Sequence, residues 1–142
     1  KLLAVAEAHR NDAPNLLKVA DHFRNSLYDL DTHCHKEEQV LYPYIMEMWR
    51  AHDLGQQVEA FHCGSIQGPI QVMMADHDDE LARHARIAEL TNNYTAPAEA
   101  DEDWREVLGV LRDFPDALEE HTAMENEVVF PMSLKLEQLA VG

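Results

Sequence analysis

The stretch HCHKEEQVLYP, residues 33–43, has a close copy further along the chain, HTAMENEVVFP, residues 121–131. Each copy contains a His, a Glu four positions later, then Val, an aliphatic residue, an aromatic residue and Pro. Residues four apart lie on one face of an α-helix, with their Cβ atoms about 6 Å apart. The spacing therefore predicts two helices that each present an imidazole and a carboxylate in the same direction.

The rest of the chain also has helical rather than strand periodicity, and only five of its 142 residues are Gly. We expect helical segments at about residues 2–10, 14–50, 68–90 and 103–139, with a kink at Pro43 and a turn at residues 92–97. Short linkers between such segments favour an antiparallel up-down four-helix bundle. The predicted fold class is all-α.

Composition excludes several classes of function. A formal net charge of −16 would repel nucleic acid and anionic membrane surfaces, and it favours cations as partners. No apolar run approaches the ~20 residues that cross a bilayer. The two cysteines, Cys34 and Cys63, are too few for a disulfide framework. With no persuasive secretory leader, we expect a cytoplasmic protein.

The two pairs of His and Glu are not significant by number alone. Nine His and 27 acidic residues in 142 would give about two such pairs by chance. In both copies, however, apolar residues at +7 and +8 continue the same helix face: Val40 and Leu41, and Val128 and Val129. We therefore expect that face to be buried, where His and Glu need compensation. Metal ions would supply it, and so would a buried hydrogen bond within each pair.

Two more imidazoles complete a candidate ligand set. His77 lies on an apolar stripe of the third segment, and His9 lies near the end of the first. His84 follows His77 by about two helical turns, and it is expected to be a core residue or to lie beside the site. The candidate metal ligands are His9, His33, Glu37, His77, His121 and Glu125. Four imidazoles and two carboxylates suit two ions of iron or manganese better than structural zinc.

Four motifs in order resemble the hemerythrin-like di-iron domain of the iron-sulfur cluster repair proteins, the RIC (repair of iron centres) family. They are HxxxEEQxLYP, GPIxxMxxxHD at residues 68–78, TNNYTxPxEA at residues 91–100 and HxxxENxxxFP. The resemblance covers nearly the whole chain. It implies a four-helix bundle with two iron ions, oxo- or hydroxo-bridged, held by four His and two bridging Glu.

The family's ligands correspond to five positions here: His33, Glu37, His77, His121 and Glu125. In the first helix the usual ligand would lie before Lys1, so either it is outside this sequence or His9 serves in its place. The expected organisation is a single domain over residues 1–142, with an incomplete first helix and without the small N-terminal domain common in the family.

The resemblance implies repair of iron-sulfur proteins damaged by nitrosative or oxidative stress, through donation of labile iron, through nitric oxide binding or through a nitric oxide reductase-like activity. An alternative is a reversible oxygen carrier or sensor like true hemerythrins. Those proteins have a bridging Asp five residues after a His of the last helix; here that position is Asn126, and Glu125 at +4 favours repair. A third hypothesis is a metal-free interaction module.

Overall fold

The computed structural model describes all 142 residues, and about 77% of them are helical. The six α-helices are α1 (Leu2–Ala8), α2 (Asn15–Lys36), α3 (Tyr42–Asp53), α4 (Gln67–Leu90), α5 (Glu102–Met124) and α6 (Phe130–Ala140). The predicted all-α four-helix bundle is confirmed, with α2 and α3 forming one of the predicted long segments and α5 and α6 another. None of the helices combines the length and the hydropathy that a bilayer crossing requires.

A π-helical turn interrupts each of these two long segments. The turns are Glu37–Leu41, between α2 and α3, and Glu125–Val129, between α5 and α6. In the first, the N–H of Tyr42 bonds to the carbonyl of Glu37, five residues earlier, and the second turn repeats this bond. The next residue, Pro43, has no N–H with which to close an α-helical bond. The loss of that donor favours the wider turn at the position where the sequence predicted a kink.

The π-helical turns change which residues face inward. Val40 and Val128, predicted to be buried, are 42% and 44% exposed, whereas Leu41 and Phe130 are 2% and 1% exposed. Each wide turn contains one more residue than an α-turn, so the positions after it move around the helix by one place. The prediction of a buried face was therefore wrong for the +7 positions of both copies, and also for His121, whose side chain is 55% exposed.

The helices pack as two compact units, of which the first consists of Lys1–Asp29 and Asp78–Glu120. Its core is aliphatic apart from one indole, and the buried members are Val5, Ala6, Leu16, Val19, Ala20, Ile87, Ala100, Trp104, Val107, Leu108 and Leu111. The carboxylate of Asp101 accepts a hydrogen bond from the backbone N–H of Trp104 at 2.8 Å, which caps the start of α5.

This first unit also buries three polar side chains that contact one another. The Ser26 hydroxyl donates to Glu80 Oε2 at 2.5 Å and lies 3.0 Å from His84 Nε2. A hydroxyl has one proton, so Ser26 accepts a hydrogen bond from the Nε2–H of His84. In that tautomer the Nδ1 of His84 carries a lone pair, and this atom is buried without a hydrogen-bond partner. Arg83 pairs with Glu80 at 2.6 Å. His84 is thus a core residue of the first unit, one of the two positions expected for it.

We expect His84 to make folding sensitive to acid. Burial, and secondarily the charge of Arg83, lowers the pKa of His84 to about 4. The unfolded chain therefore binds the proton first as pH falls, so stability present above pH 6.5 is lost between about pH 6.5 and 4. The loss would be about 3 kcal/mol. Urea titrations should show a flatter pH dependence for His84→Gln than for wild type. Equal slopes for wild type and His84→Gln would contradict this expectation.

The second unit consists of Leu30–His77 and His121–Gly142. Its buried core is formed by Leu41, Ile45, Met48, Phe61, Ile66, Ile70, Met73, Phe130, Leu136 and Ala140. The start of α4 is fixed by Glu137, which accepts hydrogen bonds from the Ser65 hydroxyl at 2.6 Å and the Ile66 backbone N–H at 2.8 Å. Five of the six predicted metal ligands lie in this unit.

Candidate metal centre

Four of the predicted ligands meet inside the second unit. His33, Glu37, His77 and Glu125 are all buried, and each offers a donor atom within 4.8 Å of the other three. His33 lies in the last turn of α2, and Glu37 and Glu125 each begin a π-helical turn. The fourth donor, His77, comes from α4. π-Helical turns often occur at functional sites, because the extra residue redirects side chains locally.

The donor atoms are close enough to share one or two metal ions. His33 Nε2 lies 2.9 Å from Glu37 Oε1 and 3.1 Å from His77 Nε2. On the other side of the cluster, Glu125 Oε1 lies 3.5 Å from His77 Nε2. The same oxygen lies 2.5 Å from Nε2 of His121, whose side chain is 55% exposed. His121 thus borders the buried cluster through Glu125.

Two side chains outside the cluster orient its buried imidazoles. His33 Nδ1 lies 3.2 Å from Asp76 Oδ2, and His77 Nδ1 lies 2.9 Å from Asn126 Oδ1. Both partners are acceptors, so each Nδ1 carries a proton, and in the neutral rings each Nε2 presents a lone pair. This arrangement, in which the outer nitrogen donates to an oxygen, is usual for imidazoles that bind metal. Two lone pairs facing each other at 3.1 Å call for a cation between them.

The carboxylates show the same need for a positive charge. Glu37 Oε1 and Glu125 Oε1 are buried and accept no hydrogen bond, although imidazole nitrogens lie 2.9 and 2.5 Å away. An ionised carboxylate is rarely buried without a partner. A divalent metal ion bound by these two oxygens and by the facing imidazoles would satisfy all of them, so the residues present fit a metal centre.

Without metal, the surroundings shift the pKa values of the two carboxyl groups in opposite directions. Burial raises the pKa of Glu37. Burial also opposes ionisation of Glu125, but contacts with His77, Glu37 and Tyr42 outweigh it and lower that pKa to about 2. Contacts with Glu37 and Asp76 likewise overcome burial and raise the pKa of His33. Protons and a metal ion compete for the same atoms, so we expect metal affinity to fall on acidification.

The phenol of Tyr42 is a functional group that the sequence did not single out. Its hydroxyl donates to Glu125 Oε2 at 2.5 Å. Burial, together with this contact, raises the pKa of Tyr42 above its ordinary value, so the phenol stays protonated and remains a donor. Asn126 was also missed as a partner of His77. The repeat offered a signal for Tyr42, because Phe130 has the equivalent position in the second copy.

His9 lies in the first unit, where it has partners of its own. Its ring contacts the indole of Trp104 with a centroid separation of 4.4 Å, and Nε2 lies 3.3 Å from Asp101 Oδ2. It is not one of the four clustered donors. His9 as a ligand stays a prediction.

Comparisons with known proteins agree with this geometry. Residues 1–133 match the family model described as the hemerythrin HHE cation binding domain. The iron-sulfur cluster repair protein YtfE of Citrobacter koseri is 34% identical over 87% of this chain and 50% of its own length. Proteins with the same name from Escherichia coli and Escherichia fergusonii are 33% identical over the same shares. This chain spans about half the length of these curated relatives. The chain therefore belongs to the hemerythrin HHE cation-binding domain family.

Proposed function

We propose that the chain is a non-haem di-iron domain that takes part in repairing iron-sulfur clusters damaged by nitrosative or oxidative stress. The observation that carries the proposal is the pair of buried carboxylate oxygens without hydrogen bonds, facing two oriented imidazoles. Mixed imidazole and carboxylate donors in a helical bundle suit iron or manganese. Similarity to proteins named for iron-sulfur cluster repair favours iron.

The proposed ligands are the five predicted residues of the second unit. His33 and His77 would hold the metal through Nε2, and Glu37 and Glu125 would hold it through their inward oxygens. His121, whose Nε2 lies 2.5 Å from Glu125 Oε1, would add a further imidazole ligand. His9 is the candidate for a sixth ligand; if His9→Ala leaves the iron content and the absorption spectrum unchanged, that assignment is wrong.

The site's own residues suit an exchangeable metal centre. When bound, the iron pair would supply redox chemistry and coordination positions for nitric oxide. The half-exposed His121 gives the centre an edge open to solvent, while the other four donors are buried. Asp76 and Asn126 hold the imidazoles in place, and burial raises the pKa of Glu37. A solvent-accessible ligand of this kind would suit a centre that donates iron to damaged clusters.

Repair of a nitric oxide-damaged [4Fe–4S] protein tests the proposal. The iron-loaded chain should restore the cluster's visible absorption faster than the same concentration of free ferrous iron. Equal rates would contradict iron donation. Consumption of nitric oxide, followed with an electrode in the presence of a reductant, tests the nitric oxide arm of the proposal. Stable, reversible oxygen binding by the reduced chain would instead support the oxygen-carrier alternative.

A further inference from the structure

The two copies of the repeated segment differ in one feature that bears on the metal centre. The ninth residue after each His is Tyr42 in the first copy and Phe130 in the second, and both follow a π-helical turn. The Tyr42 hydroxyl donates to Glu125, which belongs to the other copy. Phe130 has no hydroxyl, and its ring lies parallel to that of His77, at 7° with centroids 6.1 Å apart. The two copies thus share the same proposed ligand types, a His and a Glu, but they differ in the aromatic residue that follows, which is Tyr42 in one and Phe130 in the other.

We propose that Tyr42 is a positioning residue that makes the two bridging carboxylates unequal, by fixing Glu125 at Oε2 and leaving Oε1 to face the imidazoles. This inference rests on the proposed function and deepens it. The Tyr42 phenol has one proton, and its hydrogen-bonding partner is Glu125. Glu125 is therefore held in its ligating orientation whether or not metal is bound. Glu37 lies close to the same phenol, but the hydroxyl donates its hydrogen bond to Glu125.

Physical reasons support a sizeable effect. A hydrogen bond from a hydroxyl to a carboxylate is short and about twice as strong as one between neutral groups. It restricts the Glu125 side chain, which is 2% exposed. It also withdraws electron density from the carboxylate and so favours ferrous over ferric iron. Loss of a residue that supports a metal ligand typically weakens metal binding by about 10- to 100-fold.

The test compares Tyr42→Phe with Tyr44→Phe. Tyr44 lies in the same helix, and its hydroxyl donates to the Glu59 carbonyl at 2.8 Å rather than to one of the four clustered donors. Transfer of ferrous iron to a chromophoric chelator is timed for each protein. We expect Tyr42→Phe to release iron about tenfold faster than wild type. Tyr44→Phe should release it at the wild-type rate.

A second readout separates positioning from a purely structural role. The midpoint potential of the iron centre should shift to more negative values in Tyr42→Phe, because the Glu125 carboxylate becomes the stronger electron donor. A merely structural role would lower the melting temperature without moving the potential. If Tyr42→Phe and Tyr44→Phe agree in both release rate and potential, the proposal is overturned.

Metal release is also measured with cobalt(II), so that failure of this inference can be told from failure of the proposed function. If wild type binds cobalt(II) but no iron, the di-iron proposal fails, and faster cobalt(II) release from Tyr42→Phe than from Tyr44→Phe still supports positioning. If wild type binds iron and the two variants behave alike, only the role of Tyr42 fails. If wild type binds neither metal, both proposals fail.

Discussion

Glu125→Ala should abolish tight iron binding. Glu125 Oε1 is the carboxylate oxygen that contacts imidazoles on two sides, His77 at 3.5 Å and His121 at 2.5 Å. Removing it takes away a proposed bridge between the two ions, so neither position keeps its full set of donors. Because even residues that only support ligands contribute about 10- to 100-fold to metal affinity, loss of this ligand should cost more than about 100-fold. Iron per chain, measured after desalting, gives the result.

The matched control is Glu127→Ala. Glu127 lies in the same π-helical turn but is exposed, so its loss removes the same charge without removing a donor from the cluster. The same contrast can be made in the other copy, between Glu37→Ala and exposed Glu38→Ala. Circular dichroism establishes that each variant is helical. Wild-type iron content in a folded Glu125→Ala protein would contradict the assigned role.

Removal of metal should lower the melting temperature by about 10 °C or more. A ligand present at about 1,000 times its dissociation constant stabilises the folded state by about 4 kcal/mol. For a chain of this size, each kcal/mol corresponds to a shift of about 2–4 °C or somewhat more. The physical source is the cluster itself, where the Oε1 atoms of Glu37 and Glu125 are buried without a hydrogen bond and would gain a counter-charge from the metal.

Calorimetry of chelator-treated and iron-reconstituted protein measures this difference. Glu125→Ala serves as the reference, since a chain that binds no metal should melt at the same temperature with and without chelator. We expect the chelator to lower the melting temperature strongly in wild type and negligibly in the variant. Identical melting of the two wild-type samples would show that metal contributes nothing to folding.

The fold class was accessible from sequence because helical periodicity, proline positions and turn residues are local signals. The repeat also predicted the pairs of His33 with Glu37 and His121 with Glu125, since a spacing of four fixes which residues share a helix face. The structure indeed places Nε2 of each His within 2.9 Å of Oε1 of its Glu. What the spacing rule missed was the register after each pair. It assumed α-helical geometry, whereas a π-helical turn exposes Val40 and buries Leu41.

Contacts between helices were harder to predict. The bond from Tyr42 to Glu125 and the contact between Asn126 and His77 join residues that are distant in sequence. No local pattern specifies such partners, because they depend on how the helices pack. His9 illustrates the same difficulty: an apolar helix face next to a His is equally consistent with a ligand and with an imidazole packed on Trp104.

Iron stoichiometry combined with Mössbauer spectroscopy tests the central claim most directly. The purified chain, reconstituted with iron and desalted, should contain about two iron ions per molecule, in line with the paired carboxylate sites of helical bundles. Its spectrum should show iron with nitrogen and oxygen ligands, coupled as a pair. Iron far below one per chain, in folded protein supplied with excess ferrous iron, would contradict the account.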